Sequence, residues 1–129
     1  MLKRNKLSEM VYIYVLRLEQ GKYYVGRSDT PLKRIKEHFK GKGCRWTKLY
    51  SPIKVKKIIG NCDPFDEDKY TLKYMDRYGV MNVRGGSFSS LKLCGSTIKF
   101  IRKLLDGSRG RCYKCHNSGH FASTCMEEI

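Results

Sequence analysis

Four ligand-type side chains, Cys112-x2-Cys115-x4-His120-x4-Cys125, constrain this chain more than any other feature. Three thiolates and one imidazole at this spacing suit tetrahedral Zn2+, with about 14 residues wrapping one ion. So short a segment cannot bury a core, and metal binding must supply its folding free energy. Gly119 precedes the histidine, where the backbone has to turn tightly. Tyr113 and Phe121 are rings in a segment too small to hide them. The other cysteines, Cys44, Cys62 and Cys94, are scattered. With no export signal they are expected to be reduced thiols and not a disulfide scaffold.

At every ligand the segment resembles the CCHC zinc knuckle of retroviral nucleocapsid-type proteins. The resemblance implies that Tyr113 and Phe121 line a base-stacking cleft for single strands, whose bases are free to stack. It also puts Lys114, Arg109 and Arg111 on phosphates. The bland reading is a zinc staple without a nucleic-acid ligand.

Charge points the same way. The chain carries 27 Lys and Arg against 12 acidic residues, a net +15 over 129 residues. Such an excess destabilises a compact state and generally serves a polyanionic partner, with nucleic acid the first candidate. The longest apolar stretch, Val11 to Leu18, is about eight residues and contains Arg17, whereas a membrane span needs roughly 20. The expectation is therefore a soluble, intracellular protein of nucleus or cytoplasm with no membrane partner.

Val11 to Leu18 alternates and is rich in Tyr, Ile and Val, a strand pattern. Glu19-Gln20-Gly21-Lys22 reads as a turn and Tyr23-Tyr24-Val25 as the returning strand. Asp29-Thr30-Pro31 starts a helix, with Leu32, Ile35 and Phe39 expected to face the core. Gly41 to Pro52 reads as a basic loop, and Ile53 to Ile59 as a third strand. Asp63-Pro64 opens a second helix running to Tyr78, with Gly79 as its stop. Asn82 to Ser90 reads as turns, and Arg84 with Gly85-Gly86 as part of a rim or a plain turn. A third helix carries Ile98, Ile101, Leu104 and Leu105 on one face. The expected organisation is a basic tail (1–9), a main domain (10–90), a helix (91–106), a linker (107–111) and the knuckle (112–125). The fold class is α+β, a small three-stranded, mainly antiparallel sheet flanked by helices, plus the zinc knuckle.

Within the main domain, Tyr12 and Tyr14 share one strand face and Tyr24 lies on the partner strand. Arg34 and His38 share a helix face distinct from the apolar stripe. Glu67 sits in the first turn of the second helix, and Asn82 just beyond that helix. Singly, these are half-buried packing, solvated charge or dipole complement. Together they resemble the GIY-YIG nuclease family. The first triplet here reads Tyr12-Ile13-Tyr14 and the second Tyr24-Val25-Gly26, followed by Arg34, His38, Glu67 and Asn82 at the family's intervals. The resemblance covers roughly residues 10 to 90. Tyr12 stands where the family has Gly, so either Tyr12 or Tyr14 could serve as the first catalytic tyrosine. Tyr14 is favoured because its ten-residue separation from Tyr24 fits short-hairpin members.

The resemblance implies a metal-dependent endonuclease acting on nucleic acid, DNA in preference to RNA. In it Tyr14, Tyr24, Arg34, His38, Glu67 and Asn82 form the active site. Glu67 would hold one Mg2+ or Mn2+, a hard cation suited to carboxylate and water oxygens. Lys42, Arg45, Trp46 and Lys48 of the basic loop would contact the nucleic acid, with Arg111, Tyr113, Lys114 and Phe121 in the knuckle. The alternative is a catalytically inactive nucleic-acid-binding protein that keeps the nuclease fold as a platform.

Overall fold

The computed structural model describes residues 10–108. The zinc ligands Cys112, Cys115, His120 and Cys125, the knuckle contacts Arg111, Tyr113, Lys114 and Phe121, and the 1–9 tail lie outside the described residues.

Strand β1 (Val11–Leu18) and strand β2 (Tyr23–Ser28) form the expected antiparallel hairpin, with Tyr14 opposite Gly26 and Leu16 opposite Tyr24. Its turn, Glu19–Gly21, places Gln20 at φ 60 and Gly21 at φ 71. Helix α1 (Pro31–Phe39) begins on Pro31, whose fixed φ and missing N–H suit the first helical position. Strand β3 (Pro52–Cys62) is longer than expected and pairs antiparallel with β1 through several register shifts. It is an edge strand, and Lys54, Lys56 and Lys57 keep that edge charged. Helix α3 (Asp66–Tyr78) stops at Gly79, φ 103, as the sequence indicates.

Two expectations need correction. The sheet has four strands, in the order β3-β1-β2-β4, and is mixed. The fourth, β4 (Val83–Gly85), pairs parallel with β2 inside the stretch expected to be only turns. All three of its residues are buried, and a Cβ on Gly85 would collide with the Val25 carbonyl, so only glycine permits so close a strand. The basic loop is also partly helical. It contains α2 (Arg45–Leu49), in which Trp46 and Thr47 are buried.

Alternation along the strands makes the sheet two-faced. One face carries Tyr14, Leu16 and Leu18, which form a core cluster with Ile35 and Trp46 and with the partly buried Tyr24, Cys44 and Tyr50. The other carries Tyr23, which stacks on Tyr78 of α3 at 4.2 Å between ring centroids. Helix α4 (Gly95–Ser108) belongs to a second unit beginning at Leu93, with Ile101 and Leu105 buried and Leu104 exposed. Among the described residues no helix is long and apolar enough to cross a membrane.

Candidate active site

The expected apolar stripe on α1 does not form. Leu32 is 68% exposed and Phe39 45% exposed, and the helix turns Ile35 and His38 inward. A buried imidazole is costly unless both nitrogens find partners. Here they do. Nε2 lies 3.0 Å from the Tyr14 hydroxyl and Nδ1 lies 2.9 Å from Thr47 Oγ1. Two hydrogen bonds thus compensate for the polar ring, and the apolar residues flanking it go to the surface.

The proton positions follow from the third link. Thr47 Oγ1 is placed to donate its one proton to the Cys44 carbonyl at 3.1 Å, and with that bond made it accepts from His38. Burial, reinforced by Arg34, pushes the His38 pKa down to about 4, so the ring is neutral near pH 7. It then carries its proton on Nδ1, leaving the Nε2 lone pair to accept from the Tyr14 hydroxyl. The Tyr24 ring closes the group, 5.0 Å from His38 and 6.2 Å from Tyr14. Burial raises the pKa of both phenols.

Two glycines make room for this chain. A Cβ on Gly26 would overlap the Tyr14 ring, and one on Gly43 would overlap His38 Nδ1 and Thr47 Oγ1. Glycine at the last position of the second triplet is therefore a clearance for the first triplet's tyrosine.

The charges of Arg34 and Glu67 both bear on this group. Arg34 lowers the Tyr14 pKa through its charge and a hydrogen bond, whereas the Glu67 carboxylate raises it. The same pair acts with the same opposite signs on Tyr24. The charges of a guanidinium on α1 and of a carboxylate on α3 are thus felt at the same two phenols. Arg34 is about one-third exposed and pairs loosely with Glu37 at 3.6 Å. Glu67 is anchored through its backbone, whose carbonyl accepts from Thr71 Oγ1 at 2.7 Å. Burial raises its pKa, Arg27 lowers it and Asp68 raises it. Its ion pair with Arg27 is long, 3.6 Å, and hydrogen bonds from the Arg27 and Gly86 backbone also lower its pKa. As a hard, half-buried oxygen donor, Glu67 fits a Mg2+-type ion that takes one protein ligand and fills its shell with water and phosphate. Among the described residues there is no group of three or more His, Cys, Asp or Glu arranged to hold a metal.

Other expected residues stand elsewhere. Tyr12 is 44% exposed and Tyr14 is 1% exposed, and it is Tyr14 that meets His38. Asn82 accepts from Lys22 Nζ at 2.7 Å and donates to the Tyr78 carbonyl at 2.8 Å, joining the β2 start to the α3 end. Asn82 is thus a latch whose side chain is held by the α3 end and the β2 start. Trp46 is no nucleic-acid contact. It is buried, donates Nε1 to the Tyr23 carbonyl at 2.9 Å, and lies under the Arg84 guanidinium at 4.4 Å. Arg84 is no rim residue either. It is buried and donates to the carbonyls of Val80, Val83, Ser90 and Leu91. Lys42, Arg45 and Lys48 are exposed, as expected for backbone-tracking cations. Sequence reasoning missed Thr47 and Arg27. Thr47 closes the Gly-Cys-Arg-Trp-Thr run, but nothing local says that its hydroxyl meets a histidine nine residues back.

Comparison with known proteins places the sequence. A UPF0213 protein of Fusobacterium nucleatum is 38% identical over 48 residues, covering 37% of this chain and 48% of that protein. One from Bacillus cereus is 34% identical over 65 residues, covering 50% and 62%. One from Halalkalibacterium halodurans is 25% identical over 93 residues, covering 67% and 97%. The UPF0213 name assigns these relatives no activity, and the chain spans about half the length of the Fusobacterium protein. No solved structure matches. The GIY-YIG catalytic domain matches residues 10–75, just over half of the chain, and takes in both triplets, Arg34, His38 and Glu67. Matched over that span, this chain belongs to the GIY-YIG family, a family of nuclease-type phosphodiester hydrolases.

Proposed function

We propose that the protein is a metal-dependent endonuclease that hydrolyses phosphodiester bonds, in DNA in preference to RNA. The reading is carried by the Tyr14, His38 and Tyr24 cluster, at whose phenols the charges of Arg34 and Glu67 are felt. Arg34 is permanently charged and fork-shaped, so it would clamp the non-bridging phosphate oxygens and offset the charge growing there. The attacking water would give its proton to the Tyr14 oxygen while the Tyr14 proton passes to His38 Nε2, 3.0 Å away. That transfer leaves Tyr14 neutral, and His38 becomes an imidazolium held on its other side by Thr47. Tyr24 would hydrogen-bond the phosphate or the incoming water. Glu67 would hold one Mg2+ or Mn2+, whose Lewis acidity would stabilise the charge on the leaving 3′ oxygen. Lys42, Arg45 and Lys48 would track the backbone, making binding steeply salt-dependent. The Cys112, Cys115, His120 and Cys125 segment would take one structural Zn2+ and hold a single-stranded arm near the cut.

The test uses labelled duplex, flap and four-way junction substrates with Mg2+ or Mn2+. Wild type should cut at least one, and Glu67→Ala should cut none. Equal persistence of every substrate with both proteins refutes the activity for those structures.

A further inference from the structure

Helix α3 carries a pattern that the candidate active site does not use. Three dipeptides, Lys69-Tyr70, Lys73-Tyr74 and Arg77-Tyr78, recur at an interval of four residues. Residues four apart are neighbours on a helix surface, so cations and phenols run as adjacent columns. The rings and charges interleave. Lys73 Nζ lies 5.4 Å from the Tyr70 centroid, and the Arg77 guanidinium 5.6 Å from that of Tyr78. Across the gap, Lys56 of β3 lies 5.8 Å from the Tyr78 ring.

Between β3 and the C-terminal half of α3 is a cleft of about 340 Å3 lined by Lys56, Lys57, Lys73, Tyr74, Arg77 and Tyr78. Four of the six are cations, the other two are phenols, and none is a carboxylate. Lys56, Lys57, Lys73 and Arg77 are all exposed. Tyr78 lies in their field: Arg77 donates to its oxygen at 3.2 Å, and Arg77 and Lys56 lower its pKa. Every lining side chain can donate a hydrogen bond, so the cleft is complementary to an anion with several oxygens. It opens on the Tyr23 face of the sheet, opposite the Tyr24 face that carries the catalytic chain. Arg77 is ten residues along α3 from Glu67, about 15 Å.

We propose that this cleft is a second nucleic-acid docking site, gripping the phosphate backbone with Lys56, Lys57, Lys73 and Arg77 while the active-site pocket engages another part of the same molecule. The proposal rests on nucleic acid being the ligand, and not on its being cut. A surface that neutralises phosphates without reading base edges adds affinity and register, not sequence preference. It would fix which part of a branched or long substrate faces Tyr14.

The test measures binding by the full-length chain in EDTA, where cleavage plays no part. The probes are a fluorescent 30-base-pair duplex and the corresponding single strand, titrated at increasing NaCl and followed by anisotropy. The variants are Lys56→Gln/Lys73→Gln/Arg77→Gln, the charge-keeping Lys56→Arg/Lys73→Arg, and the single surface change Lys57→Gln. For the duplex, the triple variant should weaken binding and flatten the log–log salt slope by about 2.7, from roughly 0.9 per lost phosphate contact. Lys57→Gln should flatten it by about 0.9, and the arginine pair should match wild type. Unchanged affinity and slope in both glutamine variants overturn the proposal, as does a wild type that binds neither probe. Binding lost in the variants of a chain that never cuts would leave the docking site standing and remove only the nuclease reading.

Discussion

Replacing Thr47 by valine tests the proton assignment at the centre of the site. Valine keeps the shape and removes only the hydroxyl that accepts from His38 Nδ1 at 2.9 Å and donates to Cys44 at 3.1 Å. His38 and Thr47 are both buried, so water cannot replace the lost partner. If the ring keeps its tautomer, it leaves a buried N–H unpaired, at a cost of about 1–3 kcal/mol. In a domain of this size that lowers Tm by about 4–8 °C for each kcal/mol. If instead the ring shifts its proton to Nε2, stability is partly regained, but Nε2 then donates to Tyr14 and no longer accepts. Loss of a general-base function typically removes about 10²–10⁴ in rate. Either route predicts impairment, and they differ in how it divides between Tm and single-turnover cleavage. The assay pairs thermal unfolding with cleavage of the best substrate from the panel, using Thr47→Ser as the control that restores the hydroxyl. Thr47→Val with wild-type Tm and wild-type rate would refute the relay from Tyr14 through His38 to Thr47.

Other outcomes are equally concrete. His38 titrates near 4 in the fold against an unperturbed 6.5, so between those values the unfolded chain binds more protons and stability falls as pH drops. Urea denaturation at pH 4, 5, 6 and 7 should show that decline, and His38→Gln should flatten it over the same window. Gly26→Ala forces a methyl into the Tyr14 ring and should cost about 1–3 kcal/mol, measurable by the same denaturation, with cleavage lost in parallel. Trp46→Phe removes a buried donor to the Tyr23 carbonyl and weakens the stack under Arg84, so it should lower Tm while leaving nucleic-acid affinity unchanged in the anisotropy assay. The full-length chain should contain one Zn2+ by elemental analysis, and Cys115→Ser should remove it and weaken single-strand binding more than duplex binding.

The sequence by itself determined the elements whose signals are local. Strand alternation, a Pro31 helix start and a Gly79 stop depend on neighbours a few residues away, so the hairpin, α1 and α3 were legible. So were the phenol, guanidinium, imidazole and carboxylate intervals, because the spacing of Tyr14, Tyr24, Arg34, His38 and Glu67 survives in one dimension. Tertiary structure decided what long-range contact decides. Periodicity ranked Leu32, Ile35 and Phe39 as the buried stripe, yet two hydrogen-bond partners from β1 and α2 drew His38 inward and left Leu32 outside. Val83-Arg84-Gly85 carries turn residues and becomes a strand only because α3 returns it alongside β2. Trp46 read as a surface binder and Arg84 as a rim or plain turn residue until each supplied the other's burial, the ring accepting the cation and backbone carbonyls taking its protons. Asn82 kept its interval from Glu67, but its side chain is taken up by Lys22 and the Tyr78 carbonyl. Side-chain spacing records which groups a chain brings, whereas the contacts that satisfy buried polar atoms decide which of them meet.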